Sequence, residues 1–144
     1  MNNQLIEKLG QLQADAHVMF TKLHNLHWHV KGPQFYVLHE KTQLAYELFA
    51  QIYDDLAERT IQLGGTPLVT LAAIIEKTKI CETDKTSFTV SEVIGTMLED
   101  YDYLLKQFRE LATLSNGDTT TSAYAEEKVA FFEKELWMLK AHLE

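Results

Sequence analysis

Four stretches of this chain carry apolar residues in alternating steps of four and three, the spacing of helices that pack side by side. In the first, Leu5, Leu9, Leu12, Ala16, Met19, Leu23, Leu26 and Val30 form one stripe, which Gly32-Pro33 ends. In the second, Leu38, Ala45, Phe49, Ile52, Leu56 and Leu63 share a face before the stop at Gly64-Gly65. The third begins near Thr89, where Thr89-Val-Ser-Glu92 reads as a capping box. It runs through Met97, Leu104, Phe108 and Leu111 until the SNGD stretch at 115–118 breaks it. The fourth carries Ala125, Val129, Phe132, Leu136, Leu139 and Leu143. Between the second and third, the segment from Thr66 to about Phe88 is too long for a hairpin, and its LVTLAAIIEK predicts a short extra helix. Only two prolines and six glycines interrupt the 144 residues. The expected fold is all-α: a four-helix bundle with one long crossover, in a single domain over residues 1–144.

Composition narrows the function classes. No apolar run approaches the ~20 residues that cross a bilayer, and the opening MNNQLIEKLG lacks the basic and apolar blocks of a signal peptide. One cysteine, Cys81, makes no intrachain disulfide and fits a reducing cytoplasm. The net charge of −8 works against a phosphate backbone.

Histidines concentrate around one turn. NLHWHVKGPQFYVLHE, residues 25–40, holds His27, His29 and His39, with His24 just before it. Farther along comes DDLAER, residues 54–59, with Asp54 and Glu58 four apart. At about 100° per residue, His39, Gln43, Tyr46, Ala50, Asp54, Ala57 and Ile61 fall on a side of the second helix away from its core stripe. Fifteen residues of helix separate His39 from Asp54 by about 22 Å, whereas metal–ligand bonds span ~2.0–2.2 Å. One chain therefore cannot close a site from both. If two copies of this helix cross antiparallel near Tyr46 and Glu47, His39 of one copy faces Asp54 of the other, and symmetry makes two equal sites. The donors, two imidazoles and two carboxylates, suit Fe(II), Zn(II) or Mn(II) without selecting among them. The ExxH ligand pair of larger di-iron bundles is absent, which argues against an intrachain di-iron centre.

Taken in order, HWHVKGPQF, LHE, DDLAER, LGG-P at Gly64 to Pro67 and the closing ELWMLKAHLE resemble the Dps-type mini-ferritins of the ferritin-like superfamily, nearest the neutrophil-activating-protein branch. The likeness spans nearly the whole chain. It implies a ferroxidase that oxidises Fe(II), preferably with hydrogen peroxide, and stores ferric mineral in a hollow dodecamer built from two-fold dimers. It implies His27 and His39 as ligands from one subunit, and Asp54 and Glu58 as ligands from its neighbour. Gln43 departs from the pattern, since many relatives carry Asp or Glu there. The iron complement is then either di-iron or one iron with a second, water-bridged position. His29 also departs, where Asn is common, and its place before the turn gives it no metal role.

The remaining polar and aromatic residues have plainer readings. His17 and His24 read as surface or supporting groups. Trp28 reads as a packing residue, and the resemblance adds electron transfer. Tyr46 and Tyr53 read as interface residues. Asp118, Glu126 and Glu127 suit a helix N-terminus, and the resemblance offers iron-entry pores instead. The other class of function is a DNA-condensing protein. Against it stand the charge and the sparse lysines: Lys8 alone in the first ten residues, Lys140 alone in the last ten. A zinc-holding scaffold is the third reading.

Overall fold

The computed structural model describes residues 3–143; Met1, Asn2 and Glu144, which complete the opening and closing motifs, lie outside the described residues. The chain divides into two compact units, the first ending at Val90 and the second beginning at Ser91.

In the first unit, α1 (Asn3–His29) and α2 (Phe35–Gln62) form a hairpin packed along its length. The stripe read from the sequence is its seam: Leu9, Leu12, Met19, Leu23 and Leu26 of α1 and Leu38, Phe49, Ile52 and Leu56 of α2 are almost wholly buried. The reversal between the helices needs left-handed backbone. Gly32 takes φ 108° and Gln34 takes φ 72°, and Phe35 N–H donates to Gly32 O at 3.1 Å. Glycine adopts such a φ without cost, whereas Gln34 sits where side chains are uncommon. The turn is thus tight, and it brings the end of α1 beside the start of α2.

The crossover holds the expected short helix, α3 (Leu71–Lys77), capped by Thr70, whose side chain accepts from Ala73 N at 3.1 Å. It also holds a pairing the sequence did not announce. Val30–Lys31 (β1) runs parallel to Phe88–Thr89 (β2), with Val30 opposite Phe88. Two-residue strands have no alternation to read, so periodicity could not reveal them.

Polar side chains of α1 hold the rest of the crossover in place. Gln13 donates to Leu68 O at 2.9 Å and accepts from Leu68 N at 3.0 Å. Asp15, fully buried, accepts from Thr78 Oγ1 and Lys79 N, each at 2.8 Å. Asn25 Nδ2 donates to the carbonyls of Thr83 and Lys85 at 3.1 and 3.0 Å. A loop of this length carries many backbone polar groups, and these contacts satisfy several of them.

The second unit is the hairpin of α4 (Val90–Leu114) and α5 (Thr119–Leu143). Its core is aromatic: Tyr101, Phe108 and Phe132 are fully buried, and Phe132 meets Tyr101 edge-on at 5.1 Å. Burial, with Glu135 and Asp100 adding to it, pushes the Tyr101 phenol far above its ordinary range, so it stays protonated. Arg109 and Glu133 pair across the hairpin at 3.0 Å. The α5 stripe is buried as far as Leu139, but Leu143 is 48% exposed. The stripe runs out one turn before the helix does. Asp118 caps α5, accepting from Thr121 N at 3.1 Å and Thr121 Oγ1 at 2.6 Å. No helix among the described residues is long and apolar enough to cross a membrane.

Asp15→Ala should leave helix content intact yet lower stability by about 1–3 kcal/mol, because a backbone N–H and a hydroxyl lose their acceptor. Urea unfolding followed by circular dichroism checks this, and an unshifted midpoint would show that Asp15 does not anchor the crossover.

Candidate metal centre

The tight turn places His27, on the last turn of α1, against His39, on the second turn of α2. The two rings stack with centroids 3.6 Å apart and planes 16° from parallel. Each is fixed by the other's backbone. His27 Nδ1 lies 2.6 Å from His39 O, and His39 Nδ1 lies 2.9 Å from His27 O. A carbonyl only accepts, so both Nδ1 atoms carry a proton, and a neutral ring so placed keeps its lone pair on Nε2. That tautomer leaves Nε2 to a metal, and the contact at Nδ1 is of the kind that orients ligating imidazoles.

Thr42 completes the cradle. Its hydroxyl bonds to Leu38 O at 2.8 Å and lies 3.1 Å from His27 Nδ1. The sequence reading passed over Thr42, although its place three residues after His39 set it on the same side of α2. His27 is buried, and that burial lowers its pKa from the ordinary 6.5; His39 and His24 beside it lower it further, against the bond to the His39 carbonyl, which raises it. A neutral His27 is ready to bind a cation without first losing a proton.

Asp54 and Glu58 are exposed and stand on the same unbroken helix as His39. No group of three or more His, Cys, Asp or Glu among the described residues is placed to hold a metal ion. One chain therefore brings His27 and His39 together and leaves Asp54 and Glu58 apart from them. Gln43, exposed, donates to Glu47 Oε1 at 3.1 Å, so a neutral amide stands four residues after His39, where the resemblance implies a carboxylate in many relatives.

The neighbouring residues sort by their contacts. His29 bonds through Nδ1 to Asn25 Oδ1 at 2.7 Å, which turns the Asn25 amide nitrogen toward the crossover carbonyls. His29 is thus an anchor for the crossover, a role that becomes visible only once Asn25 is seen to hold Thr83 and Lys85. His24 bonds through Nδ1 to Phe20 O at 2.7 Å and stacks on Tyr46 at 3.7 Å. Tyr46 also sets its ring edge-on to His27 at 5.3 Å. His17 packs edge-on to Tyr53 at 5.0 Å. With Phe20 and Ala50, these two line a hollow of about 190 Å³. Trp28 is 63% exposed.

The lowered His27 pKa fixes the sign of a pH effect. The unfolded chain takes up this proton near pH 6.5, and the folded chain takes it up only at lower pH. Stability from neutral His27 is therefore complete above that value and is lost as pH falls below it. His27→Gln should flatten the fall in stability between neutral and mildly acidic pH, measured by urea unfolding of metal-free protein. An unaltered slope would show that other groups carry it.

Comparison with known proteins bears on the family and the fold. The ferritin-like domain profile matches residues 6–144. The DNA protection during starvation protein of Helicobacter pylori is 48% identical over 139 residues, covering 95% of this chain and 96% of that protein. The crystal structure of Helicobacter cinaedi CAIP superposes with a TM-score of 0.96 at 47% identity, covering 97% of this chain and 99% of that one. A Dps protein from Vibrio cholerae O1, described as one of the ferritin-like diiron-carboxylate proteins, gives a TM-score of 0.93 at 28% identity over 99% of this chain and 91% of its own. With four long helices and a short fifth in the crossover, this all-α chain belongs to the ferritin-like family as a Dps-type mini-ferritin.

Proposed function

We propose that the protein oxidises Fe(II) at sites completed between two copies of the chain and stores the ferric product. Membership of the family supports iron storage and protection in general. Iron is here substrate and cargo. The observation that carries the reading is the reciprocal lock of His27 and His39, which sets two imidazoles side by side, while no group of three or more His, Cys, Asp or Glu among the described residues is placed to hold a metal ion. Asp54 and Glu58 of a second copy supply the missing oxygens. The face that a second copy must approach is open for it. Ala50 and Ile61 are exposed, and the hollow beside Tyr53 indents it.

Hydrogen peroxide is the oxidant of this reading. It takes two electrons and two protons to become two waters, and two Fe(II) supply the electrons. Imidazole nitrogens hold Fe(II) at neutral pH, and the carboxylates compensate the higher charge of Fe(III). Keeping the electrons at a fixed site spares the cell a free hydroxyl radical. The assembly is a dodecamer of two-fold dimers, which at 16.6 kDa per chain gives a shell of roughly 200 kDa.

A direct nucleoid role is the second reading, favoured by the name of the Helicobacter pylori relative. The net charge of −8 opposes it, because phosphate contacts need cations. Removing iron and peroxide protects DNA without touching it. A gel shift at physiological salt should therefore show no retained DNA, and retention would reinstate the nucleoid role.

His39→Ala should slow peroxide-driven Fe(II) oxidation by about 100-fold or more, since even outer contacts of a metal site cost 10–100-fold. The shared site has a sharper signature. Asp54→Asn/Glu58→Gln chains and His39→Ala chains should each be inactive alone. Co-expressed, they form mixed dimers that rebuild one site of two, and random pairing restores about one site in four. No recovery in mixed assemblies would reject a site divided between subunits. Metal analysis that finds zinc held without oxidation would favour the scaffold reading.

A further inference from the structure

The α1–α2 hairpin carries a knob and a hole on one face. The knob is Trp28. Its ring meets His24 at 5.5 Å and His29 at 6.4 Å, and the residue is 63% exposed. That leaves on the order of 150 Å² of indole in water. The hole is the hollow of about 190 Å³ walled by His17, Phe20, Ala50 and Tyr53. His17 sets its ring edge-on to Tyr53 at 5.0 Å and to Phe20 at 6.3 Å, so the rings hold one another in place. Ala50, with one methyl, leaves the room. Along α1, His17, Phe20, His24 and Trp28 follow helical steps of three and four, so knob and wall share a side of the helix. Within one chain they never meet, because eight to eleven residues of helix hold them roughly 12–16 Å apart.

We propose that Trp28 of each copy seats in the hollow of a second copy and fixes the register of the pair, an inference that rests on the divided-site reading above. That reading sets His39 opposite Asp54, which puts Gln43 opposite Ala50. Trp28 travels with His39, since it follows His27, whose ring stacks on His39. It therefore arrives over the other α2 near Tyr53 and Asp54, and Tyr53 is a wall of the hollow. In a face-to-face pair the same dyad lays α1 along α1, which carries the indole toward His17 as well.

Charge and area agree. The end of the face that bears Trp28 carries the imidazoles His27 and His39, and the end that bears the hollow carries Asp54 and Glu58. An antiparallel pair sets these unlike ends together. Each copy then covers a ring and a hollow, on the order of 300 Å² of the ~800 Å² per partner that a specific interface buries. A slip of one helical turn would unseat the indole and part His39 from Asp54. Trp28 is thus a positioning residue for the iron site.

The test uses assembled, metal-free protein. In the Trp137→Phe variant, Trp28 is the one remaining indole. Acrylamide should quench it several-fold less than in the same protein carrying Ala50→Phe, whose added ring fills the hollow. Trp28→Ala should keep its helix content, because the ring is exposed in the single chain, yet weaken pairing in sedimentation by about 30-fold or more, the scale of a seated interface tryptophan. Saturating Fe(II) should restore its oxidation rate, since metal and pairing are linked, so the KM for Fe(II) rises and kcat holds. Chains with Trp28→Cys and chains with Tyr53→Cys, both carrying Cys81→Ser, should form a disulfide in mixed assemblies under mild oxidation. Leu44→Cys, on another side of α2, should not replace Tyr53→Cys. Free quenching of Trp28 in the assembly, or a link to position 44 and none to position 53, would overturn the seating. The divided site would survive that result if assemblies of His39→Ala with Asp54→Asn/Glu58→Gln chains still recover activity. No recovery there would remove the site, and the register argument with it.

Discussion

Two hydrogen bonds across a tight turn fix the candidate site of this molecule. His27 and His39 each donate from Nδ1 to the other's main-chain carbonyl. Those carbonyls belong to a helix end and a helix start, so the bonds join α1 to α2 as well as fixing two imidazoles. The same contacts hold the stacked rings in place and, in a neutral ring, choose the tautomer with its lone pair on Nε2. Structure and site are inseparable here. A change that loosened the Gly32–Gln34 reversal would misplace both imidazoles before it unfolded a helix.

The polar residues of α1 extend this logic along the helix. Gln13, Asp15 and Asn25 each hold the crossover by its backbone or beside it, at Leu68, at Thr78 and Lys79, and at Thr83 and Lys85. His29 steadies Asn25. The segment between α2 and α4 thus has fixed positions although only seven of its residues are helical. The β1–β2 pairing adds the last tie, where Val30 and Phe88 are both buried. Histidines crowd this turn for two reasons: two serve the candidate metal centre, and one serves the crossover.

Much of this was legible in the sequence, and what escaped has a common cause. The steps of four and three marked the buried seams of all four long helices, because burial on a helix repeats with its turn. Gly32-Pro33 and Gly64-Gly65 marked the ends of α1 and α2. His27 and His39 could be paired because a short turn leaves its flanking helix ends little freedom. What escaped depends on contacts between residues distant in the chain. Asn25 meets Lys85, Gln13 meets Leu68, and Val30 meets Phe88, and no local period encodes such meetings. Thr42 was missed for another reason. Threonine in a helix bonds most often to its own turn, and only the position of His27 gives its oxygen a second use.

Distributing the donors between two copies has a physical consequence for when the chemistry runs. A lone chain offers two imidazoles, a set that binds Fe(II) weakly and leaves most of its coordination to water. Adding two carboxylates raises affinity and excludes part of that water, and on the proposed reading this happens only when chains pair. Metal and assembly are then linked: whatever binds the paired state and not the single chain stabilises pairing in proportion to the logarithm of its concentration. Iron oxidation would be confined to the assembled state, where the product has somewhere to go.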